Sequence, residues 1–377
     1  MMKKYHIAIL SPQVVGIGKT PENYSSQQIN LALCWANLGH YVDVITGKHQ
    51  GINKALSHER IRVFEFPLLW LGGKKGLPVM IGGFFLLKKD KYDIIFSSEH
   101  YQPATFLACV ISKKVVIYQG HNTVGSSKLR KIAFLSLEKI FLPLIRKRYL
   151  KVIAKTKSAE EFMRARGFER CVTIPCGYDS NRFRFPTLQE KQYSRNFFGI
   201  KPTSKVLVYA GNLLPRRDIK TVIKALAKLK RWGIDVIFLI AGDGPERKYL
   251  QEIAEKEHVS KFVKFLGELN WKQLRNVYWA GDVFVFPTHY EIFGLVLLEA
   301  LACGLRILTT PCPAAKDILK QCPEAGKIVP IGDSEAFAKE ALALFSQKYE
   351  ISSSVKSFLK SNDWNSISKR ILEEMIK

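Results

Sequence analysis

Short apolar segments alternate with amphipathic helical patterns along the chain, and this alternation limits the possible folds more than any other feature of the sequence. The first series of apolar segments reads HIAIL, YVDVIT, IRVFEF, DIIFSS, KVVIYQ, KVIAKT and CVTIP, and a second series runs from KVLVYAG to GKIVP. Several segments are apolar at every position, as in parallel strands buried on both faces. The two series predict an α/β protein with two Rossmann-like doubly wound domains facing a cleft.

The chain length is consistent with two domains. The 377 residues suit two units at a prior of about 150 residues per domain. Between the two series, residues 178–204 are polar and rich in turn-forming residues, so we interpret them as an interdomain linker with a short helix. We therefore expect an N-terminal domain over residues 1–185 and a second domain over residues 186–358.

The loop after the first apolar segment contains Gly18-Lys19-Thr20, which resembles the end of a phosphate-binding loop. A Walker A loop has another glycine five positions earlier, where the chain turns sharply around the phosphates. Gln13 occupies that position, and Pro21 follows the threonine where a helix should begin. The motif is incomplete and argues against a nucleoside triphosphatase. A solvated turn and a ligand-binding loop both stay open.

Targeting and redox signals are weak. The N-terminal apolar run is too short for a signal peptide, and the longest apolar stretch, GLPVMIGGFFLL, falls below the ~18 residues that cross a bilayer. The seven cysteines form no Cys-x-x-Cys pair, which favours reduced thiols and argues against structural zinc. We expect a cytoplasmic protein without a transmembrane helix.

The charge is strongly positive. The chain has 58 Lys and Arg against 33 Asp and Glu, a net charge of +25, which indicates an anionic partner such as nucleic acid, a membrane surface or a phosphorylated substrate. Within residues 113–170, the stretch KLRKIAFLSLEKIFLPLIRKRYLK places apolar residues between basic ends. It suits a helix on an anionic bilayer, and a core helix with solvated flanks is the alternative. Basic and aromatic residues form no nucleic-acid-binding module, so we expect no nucleic-acid partner.

The most informative segment is PTHYEIFGLVLLEALACGLRILTT, residues 287–310. It predicts a strand end, a polar loop with Glu291, and a helix that begins near Gly294, carries Glu299 in its second turn and ends at Cys303-Gly304. The free amides of the first helical turn are suited to phosphate, and carboxylates there accept sugar hydroxyls well. The alternative is that Glu291 only complements the helix dipole and Glu299 is solvated.

These residues resemble a known family. Glu291-x-Phe293-Gly294-Leu295 followed by Glu299 is similar to the E-x7-E signature of the retaining, GT-B-fold glycosyltransferases of group 1. Four earlier segments fall in the family's order and spacing, so the resemblance covers nearly the whole chain: VTIPCGYDSNRF, VLVYAGNLLPRRDIKTVIKAL, FLIAGDGPERKYL and VKFLGELNWKQLRNVYWAGDVFVFP. It implies an acceptor-binding N-terminal domain, a nucleotide-sugar-binding second domain, and a final helix over residues 359–377 that crosses back to the first.

The resemblance also implies roles for individual residues. Glu291 would bind donor sugar hydroxyls near the reacting face, Glu299 would hold the nucleotide ribose, and His121 would lie near the sugar. From its position alone, His121 could equally cap its loop. The residues implied to line the donor phosphates are Gly16, Gly18, Gly211, Arg216, Arg217, Phe293, Gly294 and Leu295.

The chain departs from the family pattern at two places. Asn212 stands where the family usually has an arginine, and Arg217 stands where it usually has a lysine. Arg217 keeps the positive charge with a forked geometry, whereas Asn212 cannot neutralise a phosphate. We expect Arg216 or another base to compensate. Cys176 replaces a usual asparagine, and we expect little effect from that.

The implied reaction is retaining transfer of a sugar from a nucleotide-sugar, with UDP or GDP as the nucleotide, to a lipid-linked saccharide or glycolipid. The setting implied is envelope polysaccharide or lipopolysaccharide synthesis, peripherally on the inner face of the cell membrane. No Asp-x-Asp motif occurs, so we expect no metal and no cofactor, with side-chain cations and helix amides in that role. A nucleotide-sugar epimerase and a non-catalytic membrane-associated subunit of the same fold are the alternatives.

Overall fold

The structure is a computed structural model that describes residues 3–12, 27–48, 52–71, 77–80, 82–87, 91–120, 128–291, 293–347 and 350–377. The chain divides into two compact units. The first unit comprises Met1–Cys176 and Trp364–Lys377, and the second comprises Gly177–Asp363.

The first unit is built on a parallel sheet. Its strands, in chain order, are β1 (His6–Ser11), β2 (Tyr41–Gly47), β3 (Ile61–Phe66), β4 (Leu68–Leu71), β5 (Leu77–Met80), β6 (Ile94–Ser98), β7 (Val115–Gln119), β8 (Tyr149–Ala154) and β9 (Cys171–Thr173). Among the described residues, seven of these form one sheet in the order β3-β2-β1-β6-β7-β8-β9, with every neighbouring pair parallel. Strands β4 and β5 form a separate antiparallel pair, which the sequence analysis did not predict.

Helices cover both sides of this sheet. The helices of the first unit before its return segment are α1 (Gln27–Asn37), α2 (Ile52–Ala55), α3 (Pro103–Ile111), α4 (Lys128–Arg148) and α5 (Lys157–Arg164). A 3₁₀ turn spans Gly83–Leu86. Side chains of α3, of that turn and of the end of α4 pack into one buried apolar cluster with the sheet.

The second unit has the same architecture. Its strands are β10 (Lys205–Ala210), β11 (Val236–Ala241), β12 (Val263–Gly267), β13 (Val283–Phe286), β14 (Arg306–Thr309) and β15 (Gly326–Ile328). Its helices are α6 (Leu188–Phe197), α7 (Ile219–Arg231), α8 (Arg247–Lys256), α9 (Trp271–Ala280), α10 (Leu295–Ala302), α11 (Pro313–Gln321), α12 (Ser334–Ser346) and α13 (Ser353–Ser361). The strands pair in the order β12-β11-β10-β13-β14-β15, all parallel.

The structure shows to which unit the stretch 178–204 and the final helix belong. The interpretation of residues 178–204 as an interdomain linker is wrong, because this stretch lies within the second unit. Its helix α6 packs against α9 and begins with a Thr187–Glu190 capping box. The final helix, α14 (Trp364–Ile376), belongs to the first unit and packs on α1. Buried Trp35 of α1 donates its indole N–H to the carbonyl of Ser368 at 3.0 Å. This bond fixes the chain terminus on the first unit.

A buried carboxylate ties the first three strands of the N-terminal sheet together. Asp43 on β2 accepts both Nε and Nη2 of Arg62 on β3, at 2.8 and 2.9 Å, and the hydroxyl of Tyr92 at 2.7 Å. The Nε2 of His6 on β1 lies 3.3 Å from the same carboxylate. Burial alone would raise the pKa of Asp43, but the hydrogen bonds from Arg62, Tyr92 and His6 outweigh it and hold the pKa below its ordinary value.

Replacing this carboxylate should destabilise the protein in a pH-dependent way. We expect Asp43→Asn to lower the free energy of unfolding near neutral pH by roughly 1–3 kcal/mol, because Arg62 loses its charged acceptor. Since the pKa of Asp43 is lower when folded, its contribution is complete above the unfolded-state pKa and is lost as the pH falls through the folded-state value. Urea denaturation should show the gap between wild type and variant narrowing below about pH 4. A gap that is constant with pH would contradict this.

Candidate functional site

The candidate site lies at the carboxyl edge of the second sheet, where its strand order reverses. Strands β10 and β13 are neighbours, and the chain leaves β10 toward β11 on one side and β13 toward β14 on the other. Loops after such neighbouring strands diverge and leave a crevice that binds ligands in open α/β sheets. The predicted residues Gly211, Arg216 and Arg217 follow β10, and Glu291 follows β13.

Two glycine loops pack backbone to backbone at this edge. A Cβ added to Gly242, after β11, would lie 2.0 Å from the carbonyl oxygen of Gly211, after β10. Both glycines have positive φ, 142° and 132° for Gly211 and Gly242. The N–H of Gly211 also donates to the carbonyl of Ala241 at 3.0 Å. Only glycine permits this approach, and it fixes where the arginine-bearing turn begins.

Arg217 and Glu291 form the central ion pair of the site. The Nη1 of Arg217 lies 2.5 Å from Oε2 of Glu291, and the two side chains are only 12% and 16% exposed. Arg217 also lies over the ring of Phe286 at 4.9 Å and donates to the hydroxyl of Thr288 at 3.3 Å. Its Nε is buried and has no hydrogen-bond partner among the described residues. A charge this deep needs its partner, so the pair couples two loops that are far apart in sequence.

Arg216 extends the cationic side of the pair. Its Nη1 donates to the carbonyl of Tyr290 at 2.6 Å and lies 3.8 Å from Oε2 of Glu291, while 42% of its side chain is exposed. The backbone N–H of His289 donates to the carbonyl of Arg216 at 2.8 Å. The arginine turn and the Glu291 loop are therefore joined by backbone and side-chain contacts together. Asn212, which precedes this turn, is exposed.

Asp218 follows the two arginines in a left-handed conformation, with φ 47°. Its Oδ2 accepts from the hydroxyl of Thr221 at 2.7 Å and lies 3.2 Å from Nε2 of His289. Its Oδ1 is buried without a partner among the described residues. A non-glycine residue with positive φ is strained unless its surroundings hold it, and here the contacts to Thr221 and His289 do so.

Helix α10 begins directly beyond Glu291. Gly294 is its N-cap with φ 68°, Leu295 is its first residue, and Phe293 is buried. A Cβ on Gly294 would lie 3.2 Å from Cγ of Glu291, which places the helix N-terminus beside the carboxylate. The N-terminus of the helix and both arginines thus lie next to the same carboxylate, and the arrangement suits an anion next to a hydroxyl-bearing group.

Glu299 lies deeper than expected. It is buried rather than solvated, and its Oε2 accepts from the hydroxyl of Tyr278 at 3.1 Å. Burial raises the pKa of Glu299 to about 7, opposed by the Tyr278 hydrogen bond and by Arg182, and assisted by Asp179. The solvated alternative for Glu299 is therefore wrong.

The N-terminal sheet also gathers polar groups at its carboxyl edge. Glu99, which follows β6 with φ 59° and is buried, accepts the N–H of Gly120 at 3.0 Å. The Nζ of Lys155, after β8, lies 3.8 Å from the same carboxylate oxygen. The predicted residues Gly16, Gly18 and His121 lie outside the described residues, although His121 directly follows Gly120.

Several polar residues at these edges, and one beside Glu299, were missed by sequence reasoning. They are Glu99, Lys155, Asp218, Tyr278, Thr288 and His289. Their position immediately after predicted strands was the available signal for Glu99 and Thr288, whereas Lys155 lies near the end of the predicted segment KVIAKT. In the described parts of the chain, no group of three or more His, Cys, Asp and Glu side chains is placed to hold a metal ion. The described helices also include none that is both long and apolar enough for a bilayer span.

Comparison with known proteins identifies relatives of both units. A family model described as "Glycosyl transferases group 1" matches residues 190–363, and one described as "Glycosyltransferase Family 4" matches residues 27–182. An uncharacterized glycosyltransferase of Methanocaldococcus jannaschii is 33% identical over 133 residues, which are 35% of this chain and 34% of that protein. A GDP-mannose-dependent monoacylated alpha-(1-6)-phosphatidylinositol monomannoside mannosyltransferase of Corynebacterium glutamicum is 29% identical over 178 residues, 45% and 46% of the two chains. The matches thus span about a third to under a half of these relatives.

A solved structure extends the likeness to the whole chain. The structure of Anabaena HepE in complex with UDP and glucose superposes with a TM-score of 0.72, at 18% identity, over 99% of this chain and 100% of that chain. This similarity shows the fold. The prediction of an α/β protein of the GT-B type with two parallel-sheet domains is confirmed.

The buried carboxyl of Glu299 should make stability depend on pH. Because its pKa is about 7 when folded against an ordinary 4.5, the folded state binds the proton more tightly. Its contribution to the free energy of unfolding therefore falls by up to about 3 kcal/mol as the pH rises from about 4.5 to 7, at ~1.4 kcal/mol per pKa unit.

The variant Glu299→Gln should lack this loss, because the amide cannot ionise. Urea denaturation between pH 5 and 8 should show the variant gaining stability relative to wild type as the pH rises. Glu252→Gln, at an exposed position of α8, is the matched control and should follow the wild-type profile. A difference between Glu299→Gln and wild type that does not change with pH would overturn the interpretation.

Proposed function

Because the chain belongs to the group 1 glycosyltransferases, we propose that it transfers a sugar from a nucleotide-sugar to a lipid-linked saccharide or glycolipid, with retention of configuration at the anomeric carbon. The observation that carries the proposal is the convergence of Arg216, Arg217 and Glu291 beside the N-terminus of α10. A diphosphate there meets two cations and helix amides, and the attached sugar meets a carboxylate.

Donor binding would exchange the partner of Arg217. The diphosphate brings more negative charge than Glu291 and accepts bidentate hydrogen bonds from a guanidinium. The buried Nε of Arg217, which has no acceptor among the described residues, supplies one donor, and Arg216 supplies others. Glu291 would then release Arg217 and accept sugar hydroxyls. On this proposal the ion pair holds the site in shape until the donor arrives.

The chemical step follows from the same charges. The bond between the anomeric carbon and the diphosphate oxygen breaks, and the acceptor hydroxyl forms its bond on the same face of the sugar. The departing phosphate takes the hydroxyl proton, while Arg216 and Arg217 stabilise the negative charge that develops on it. These cations and the α10 amides would do what a metal ion does in metal-dependent transferases.

The nucleotide would extend toward Glu299. The carboxylate of Glu299 accepts a hydrogen bond from the hydroxyl of Tyr278 at 3.1 Å, and when ionised it is a strong acceptor for the ribose hydroxyls. Burial raises the pKa of Glu299 to about 7, and hydrogen bonds from the ribose hydroxyls would favour its charged form. We expect UDP or GDP as the nucleotide, without a further cofactor.

A lipid-linked acceptor is supported by the relatives. The Corynebacterium glutamicum enzyme is named as a mannosyltransferase acting on a monoacylated phosphatidylinositol mannoside. We place the acceptor on the N-terminal unit, where Glu99 and Lys155 offer a carboxylate and an ammonium to sugar hydroxyls at the carboxyl edge of the sheet. An envelope polysaccharide or lipopolysaccharide pathway is the setting we propose.

Nucleotide binding is the first test. UDP, GDP, ADP and their sugar conjugates should be screened by thermal shift, since a ligand at 100 times its Kd adds about 2.7 kcal/mol to stability. We expect one base to raise the melting temperature of wild type strongly. The shift should be much smaller in Glu299→Ala and in Arg217→Gln. No shift with any nucleotide would favour the non-catalytic subunit instead.

The exchange at Arg217 makes a sharper prediction for Glu291→Gln. Without the competing carboxylate, this variant should bind the free nucleoside diphosphate as tightly as wild type or more tightly, measured by calorimetric titration. Its transfer of radiolabelled sugar to an organic-extractable lipid fraction should fall by about a hundredfold or more. Weaker diphosphate binding would overturn the exchange. Donor turnover without any labelled lipid would instead indicate the epimerase.

A further inference from the structure

One layer of the N-terminal unit turns large apolar side chains toward solvent. The turn Gly83–Leu86, helix α3 and the end of α4 all contribute to the buried cluster on one side of the sheet. Phe84 and Leu86 pack against that cluster, yet Phe85 between them is 84% exposed. Phe141 and Leu142 also pack inward, while Ile140 is 70% exposed. Exposed apolar side chains grouped on adjoining elements mark an interaction surface.

Helix α3 joins these two elements. Its sequence PATFLACVI contains no charged residue, and its Val110 is 43% exposed. The rings of Phe106 on α3 and Phe141 on α4 lie 4.0 Å apart, so the two helices share one layer. The guanidinium of Arg148 donates to the carbonyls of Cys109 and Val110, at 2.6 and 3.0 Å. A positive charge thus sits at the C-terminus of α3, next to exposed Val110.

The exposed charges in the described part of α4 are positive. On α4, Lys139, Ile140, Pro143 and Lys147 are all exposed and follow the three- and four-residue spacing of one helical face. The only acidic residue in the α4 sequence is Glu138, which pairs with His100 at 2.9 Å and Arg166 at 2.6 Å instead of accompanying these lysines. The outward face of this part of α4 is therefore both apolar and basic.

We propose that this basic apolar face, formed by Phe85, Val110 and Ile140 with Lys139 and Lys147, docks on a bilayer that contains anionic phospholipid. The apolar side chains would enter the boundary between head groups and acyl chains, and the lysines would contact phosphates. Charge complementarity selects this occupant: a basic partner is repelled, and a second copy of this face would bring lysines against lysines.

The sequence left two interpretations of α4 open, a helix on an anionic bilayer and a core helix with solvated flanks. This proposal combines them. Ile145, together with Phe141 and Leu142, makes the end of α4 part of the core, whereas Ile140 and the lysines point away from it. Docking would bring the unit that we assign to the acceptor close to a lipid-linked saccharide. The assignment of the acceptor rests on the proposed function, but the docking itself requires neither donor nor acceptor and is tested without them.

Vesicle flotation with the full chain tests the proposal directly. The protein should bind vesicles of phosphatidylcholine and phosphatidylglycerol, bind pure phosphatidylcholine vesicles weakly, and dissociate as salt is raised. The double variant Phe85→Ser/Ile140→Ser should lower the partition coefficient by about tenfold or more. Lys139→Glu/Lys147→Glu should lower it by about fivefold or more for each lysine.

Matched variants on the second unit control for general loss of apolar surface or charge. Tyr193→Ser/Phe197→Ser replaces side chains that are 65% and 68% exposed on α6, and Lys220→Glu/Lys224→Glu reverses two exposed lysines on α7. Both should bind vesicles nearly as wild type does. All variants should keep the wild-type thermal shift with nucleotide, which shows that they are folded and tests the donor site separately.

Three results would overturn the docking. They are no binding to anionic vesicles, equal losses in the control variants, and vesicle binding that Phe85→Ser/Ile140→Ser leaves unchanged. Self-association of the free protein that is lost in this same variant, without vesicle binding, would assign the face to a second copy. A nucleotide shift without vesicle binding would leave the proposed transfer intact and reject only this surface.

Discussion

The candidate site depends on one electrostatic constraint, which is that the largely buried carboxylate of Glu291 needs a cation or hydrogen-bond donors as its partner. At 16% exposure, its carboxylate has lost much of its hydration, and an unpaired charge at that depth is strongly destabilising. Arg217 supplies the cation only because β10 and β13 are neighbours, so that the loops following them emerge side by side. The strand order of the sheet thus determines the pairing, and the pairing fixes the turn that carries both arginines.

In both units, the side chains that stabilise the fold and the polar side chains of the candidate site lie in different parts of the sheet. The strands of both units are buried by helices on each side, so their interiors hold apolar side chains, and polar groups gather where the strands end. The Asp43–Arg62–Tyr92 cluster shows the exception: a carboxylate within a sheet is tolerated when several donors satisfy it. At the edge that carries the candidate site, a donor has no acceptor among the described residues, namely Nε of Arg217. A fully satisfied network stabilises the fold, whereas one with unused donors can bind a ligand.

The sequence predicted the strands and helices better than the tertiary contacts between them. Uniformly apolar strands and the helix after Gly294 were evident from periodicity and glycine placement, and the two-domain fold followed from their order. The bond between Arg216 and Tyr290 joins residues 74 positions apart, and no local pattern encodes it, because it depends on which strands are adjacent. The left-handed Asp218 and the burial of Glu299 are likewise set by tertiary contacts. The roles of Gly16, Gly18 and His121 stay predictions, since these residues lie outside the described parts.

Asn212 is uncharged, so the positive charge of the candidate site comes from the neighbouring arginines. Two guanidinium groups approach one carboxylate, with Arg217 at 2.5 Å and Arg216 at 3.8 Å from Oε2 of Glu291. These three side chains together therefore carry one net positive charge, even without a cation at position 212. Arg216 is 42% exposed, so it can reorient toward an anion at little cost in packing, whereas Arg217 is fixed by Phe286 and Thr288. On the proposed function, Arg217 would anchor the site and Arg216 would follow the phosphate, so that a chain without the usual arginine could still stabilise a departing diphosphate.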